Sequence, residues 1–183
     1  MRAFPLALVL LAATAVAGEK GGVTMPETMT VEGKSLVLNG MGIREATIFN
    51  VKVYVAGLYV EKKSQAADEL IRSEQVKRLD LVFVRDVDHD DVVEAWQKGF
   101  KNNGADMAKL KSRIDQLAGW MPDMKKKDTL TFTYVPGTGV TVTLRGQPKG
   151  TIAGGDFATA LFSIWLGKDP ADGGLKKGLL GKE

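Results

Sequence analysis

The chain has 183 residues, 26% of them charged, with a formal net charge of +3 and no cysteine. That length suits one domain with a core of its own. The missing cysteines exclude a disulfide framework, a lipidation cysteine and thiolate catalysis, and the interspersed charges leave no nucleic-acid footprint.

Residues 1–17 read as a secretory signal peptide: Arg2 opens it, an apolar or small-residue run follows, and Ala15-Val16-Ala17 is an A-x-A cleavage site. The run is shorter than the roughly 20 residues a membrane-spanning helix needs, so no stable membrane anchor is expected. The mature product is expected in the periplasm or secreted. Residues 18–27 are glycine-rich and polar and predict a flexible leader, and residues 28–181 form the domain.

Thr28 to Val31 and Ser35 to Leu38 predict two short strands around a Glu32-Gly33-Lys34 turn. A short arm with two glycines and Arg44 then runs into the strand Val51 to Val60. Val51, Val53, Val55, Gly57 and Tyr59 share one face of it, and Lys52, Tyr54, Ala56, Leu58 and Val60 the other. Neither face is polar, so the strand is expected to be central and covered on both sides.

Beyond it a short helix follows a Ser64 N-cap, and a strand spans Val76 to Arg85. A helix opens at Asp86-Val87-Asp88 with the stripe Val92, Val93, Trp96 and Phe100, and a second covers Ala105 to Ala118. Lys125-Lys126-Lys127-Asp128 reads as a solvated turn. Thr129 to Val135, Val140 to Leu144 and Lys149 to Ile152 are strands. Asp156 caps an apolar helix, Phe157 to Leu166, and Asp169-Pro170 starts a last small one. Hairpin-linked strands with helices inserted in the middle and at the end give an α+β fold, one largely antiparallel sheet covered by a layer of helices.

Chemistry is sparse along this chain. Its one histidine, His89, stands among aspartates that helix capping explains, so no metal and no cofactor is expected. No G-x-S-x-G elbow accompanies it, and the Gly137-Thr138-Gly139 stretch leads into a strand, as turns do and phosphate loops do not. The remaining candidates are Arg44 with Tyr54, Tyr59 and Tyr134, groups that bind anions and make poor bases at neutral pH.

Four segments then carry a resemblance: LNGMGIREATIFNVKVYVAGLYVE, DVVEAWQKGF, YVPGTGVTVTLRGQPKGTI and FATALFSIWLGKDPADGGLKKGLLG. Together they resemble the bacterial, exported branch of the chalcone isomerase-like family. The resemblance implies an open-faced sandwich, a large antiparallel sheet on a layer of helices with a ligand cleft between them. Arg44 matches the arginine that, in plant chalcone isomerases, stabilises the chalcone phenolate during ring closure. Tyr54 falls where those enzymes have threonine, and fatty-acid-binding members carry tyrosine there, holding a carboxylate together with the arginine. The enzymes' further tyrosine and asparagine have no counterpart in DHDDVVEAWQKGF. The resemblance therefore implies a non-catalytic protein that binds a small amphipathic anion such as a fatty acid through Arg44 and Tyr54. Two alternatives stand beside it: an intramolecular lyase of the chalcone isomerase type using Arg44 as electrophile, and an envelope scaffold whose cleft is filled by Trp96, Phe100 and Phe162.

Overall fold

The computed structural model describes residues 17–46 and 51–182. The expected signal peptide therefore lies outside the described residues, apart from Ala17. Seven strands form one antiparallel meander in chain order: β3 (Thr28–Val31), β4 (Lys34–Ala46), β5 (Val51–Val60), β6 (Lys77–Phe83), β7 (Thr129–Val135), β8 (Gly139–Leu144) and β9 (Gln147–Ile152). β1 (Ala17–Lys20) and β2 (Val23–Pro26) pair only with each other. α1 (Ala67–Arg72) joins β5 to β6, and α2 (His89–Asn102) and α3 (Met107–Gly119) lie between β6 and β7. α4 (Gly155–Leu166) and α5 (Gly173–Leu179) close the chain.

From Tyr54 onward the period-two pattern of β5 sorts its side chains as expected, whereas Val53, expected on the Val55 face, packs against the main core because the register shifts between Arg44 and Glu45. Tyr54, Ala56, Leu58 and Val60 enter the main core with the helices, while Val55 and Tyr59 enter a smaller core with Met25, Leu36 and Leu38. Two apolar faces need two covers, and the second is the β1–β2 hairpin. Its Met25 is 4% exposed and reaches over Gly57, where a side chain on the strand would collide with its sulfur. The flexible leader expected at 18–27 is thus corrected to a paired hairpin, because burying Met25 and bonding the Tyr59 hydroxyl to the Pro26 carbonyl at 2.9 Å fix it to the sheet.

Other boundaries shift for local reasons. The arm before β5 is itself strand: β4 continues past Leu38 through a bulge and pairs with β5 up to Ala46. Glu32 and Gly33 both take left-handed conformations, φ 49° and 73°, the pair a two-residue hairpin turn demands. Ser64 lies just ahead of α1, its hydroxyl accepting from Ala66 N and donating to Glu69. Asp156 sits inside the first turn of α4, where Arg113 grips both carboxylate oxygens at 2.7 and 3.0 Å. The last helix starts at Gly173 because Asp172, and not Asp169, accepts from its first turn, at Leu175 N.

α5 lies against β4 backbone to backbone. A Cβ on Gly40 would meet the Gly178 carbonyl, and one on Gly178 would meet that of Met41. The glycines of the arm are therefore needed for this close approach. Asn39 ties the same seam, donating to the Ser64 and Leu179 carbonyls at 3.1 and 2.7 Å and accepting from Ser64 N at 2.9 Å.

Candidate functional site in the cleft between sheet and α2

Arg44 and Tyr54 are direct register partners across β4 and β5. Alternation puts both on the helix-covered side of the sheet, where they line a cleft of about 790 Å³. α2 forms one wall, and the link from α4 to α5 closes one end through Asp169, Pro170 and Ala171. The apolar part of the lining includes Leu81, Phe83, Val92, Trp96 and Ile164. Phe100 and Phe162 belong to the core behind it, 0% and 1% exposed, and Trp96 stands in the wall.

Tyr54 is held by two contacts. Its ring meets Phe83 at 5.5 Å, and its hydroxyl oxygen accepts a 2.8 Å hydrogen bond from the Trp165 indole N–H. Burial pushes the phenol up to about 12, against the lowering effects of the Trp165 bond and the Arg44 charge, and Asp172 adds to the rise. Tyr54 is therefore a neutral donor at any physiological pH, and among the described residues no acceptor takes its proton.

Arg44 is half-buried and its guanidinium bonds the Glu45 carbonyl. Its Nη1 lies 3.7 Å from Asp172 Oδ2, an ion pair beyond hydrogen-bond reach. The Asp172 carboxylate is otherwise used: Oδ1 accepts from Leu175 N at 2.8 Å and Oδ2 from Glu45 N at 3.2 Å. A guanidinium and a protonated phenol side by side over an apolar floor suit one oxyanion with a lipophilic body.

The other candidates lie elsewhere. Tyr59 points to the opposite face, and Tyr134 donates to Glu74 at 2.8 Å. His89 starts α2 with Nδ1 2.8 Å from the Met121 carbonyl. Among the described residues no group of three or more His, Cys, Asp or Glu is placed to hold a metal ion, and no helix is long and apolar enough to cross a membrane. Sequence reasoning missed Trp165 and Asp172. An indole N–H inside the apolar helix of α4 signals a need for a buried acceptor, and Asp172 before two glycines is an N-cap signal that Asp169-Pro170 overshadowed.

Comparison with known proteins agrees with this architecture. No curated protein matches the chain. Among solved structures, a fatty-acid-binding protein of Arabidopsis thaliana shares the fold with a TM-score of 0.71 at 17% identity, over 91% of this chain and 95% of that one. The model of the family described as chalcone isomerase-like matches residues 17–181, which is nearly the whole sequence, and the chain belongs to that family.

Proposed function

We propose that this is an exported, non-catalytic binding protein that holds a small amphipathic anion such as a fatty acid, its carboxylate at Arg44 and Tyr54 and its chain along the apolar floor. The observation that carries the reading is the register pairing of Arg44 with Tyr54 on the cleft side of the sheet, with the tyrosine held as a phenol. A charged fork and a neutral donor complement a carboxylate, and neither withdraws protons at neutral pH. The fatty acid as ligand class draws further support from the Arabidopsis protein, whose described role is fatty-acid binding. Support for export comes from the signal-peptide pattern of residues 1–17.

The test is native mass spectrometry of the protein purified from its own periplasm, followed by extraction of whatever accompanies it. We expect processing after Ala17 and a co-purifying lipophilic anion that Arg44→Ala loses. Trp96 lines the cleft and Trp165 bonds Tyr54, so titration with a fatty acid should also change the intrinsic fluorescence. A clean ligand-free mass together with equal fatty-acid affinity in Arg44→Ala would remove the proposed site. Full-length protein retained in the cytoplasm would remove the export.

A further inference from the structure

We infer that Asp172 is the specificity-determining residue of this cleft, limiting the headgroup that Arg44 accepts to a single negative charge, so that a carboxylate enters and a phosphate monoester is refused. This rests on the reading of Arg44 as the headgroup anchor.

The geometry gives Asp172 two jobs that pull apart. As a helix cap it needs only a neutral oxygen, since Oδ1 accepts from Leu175 N at 2.8 Å. Yet it carries a full charge, half-buried, with Oδ2 3.2 Å from Glu45 N and 3.7 Å from Arg44 Nη1. That charge offsets Arg44 without occupying its donors at hydrogen-bond distance. A ligand anion arriving at Arg44 and Tyr54 therefore meets a cation already balanced by one carboxylate. One added negative charge is held by the donors of the guanidinium and the phenol. A second is repelled by Asp172, whose carboxylate lies 3.7 Å from the guanidinium that would hold it. The remaining walls oppose it too: Asp86, Asp88, Asp91, Glu94 and Asp169 line the cleft against Arg85 and Lys98.

The experiment compares dodecanoate with dodecyl phosphate by calorimetric titration at about pH 8, where a phosphate monoester carries close to two charges because its second pKa is about 6. Asp172→Asn keeps a capping oxygen and removes the charge, and Asp172→Ser does the same with a shorter side chain. The unchanged protein should prefer dodecanoate. Both variants should bind both probes more tightly and narrow the preference by roughly fivefold or more, the usual lower bound for coupling between neighbouring groups. Equal preference ratios in the variants and the unchanged protein, with circular dichroism unaltered, would overturn the role of Asp172 and leave Arg44 as the anchor. Arg44→Gln binding both probes as the unchanged protein does would overturn the anchor reading, and this inference with it.

Discussion

The middle of β4 and its C-terminal end belong to one strand and do opposite things. At Gly40 and Gly42 the strand is sealed by α5, with backbone against backbone and no room for a Cβ. Two residues on, at Arg44, the same face opens on a cleft of about 790 Å³. The difference shows that a ligand site in this fold is a place where packing stops, and that its edge is set by side-chain size: glycine lets the helix down onto the strand, and arginine holds the space beyond it open. Asp172 stands at the junction, capping the helix that seals one end and charging the other.

The comparison is broken most severely at the sealed end. Gly40→Ala drives a methyl into the Gly178 carbonyl and should destabilise the fold by roughly 3 kcal/mol, measured by denaturant unfolding. An unchanged midpoint would mean that the seam tolerates separation. At the open end, Tyr54→Phe leaves the buried Trp165 N–H without its acceptor. That should cost about 2 kcal/mol and weaken carboxylate binding together with stability, whereas Gly40→Ala should lower stability alone.

The smallest effect is one of pH. Tyr54 has its folded pKa raised to about 12 from the ordinary 10, so its contribution is complete below about pH 10 and is lost as pH rises through that interval. At about pH 11 the loss is on the order of 1 kcal/mol, read as the difference between the unchanged protein and Tyr54→Phe in thermal unfolding. Tyr134, also raised to about 12, titrates in both proteins and cancels in the difference. Parallel stability curves across that range would mean that the Tyr54 hydroxyl is exposed to water.

Much of this fold was readable from periodicity. The two faces of β5 from Tyr54 to Val60, the helix stripe of Val92, Trp96 and Phe100, and the strands on either side of Gly137 follow from local spacing that tertiary contacts only reinforce. The leader was not readable, because Val23 and Met25 stand alone in a polar, glycine-rich stretch and the value of Met25 lies in Gly57, far along the chain. Lys77 shows the same limit from the other side. A lysine in a strand predicts exposure, yet here it is 1% exposed, its ammonium donating to the carbonyls of Leu70, Ile71 and Ser73 at the end of α1. Those acceptors exist only once the helix has packed over the strand.

For the candidate site the division is similar. Arg44 and Tyr54 were identifiable by residue type and by resemblance, since a guanidinium and a phenol near an apolar strand have few other uses in a chain with one histidine and no cysteine. The sequence by itself determined that β5 lies inside the sheet with both faces covered, how its residues alternate from Tyr54 to Val60 and which groups can take an anion, because these are properties of local spacing and side-chain chemistry. Only the tertiary structure decided that Arg44 and Tyr54 face each other in register, that Trp165 turns the phenol into a fixed donor, and that Asp172 balances the arginine. Each of those depends on contacts between residues far apart in the chain, and such contacts have no signature in a single sequence.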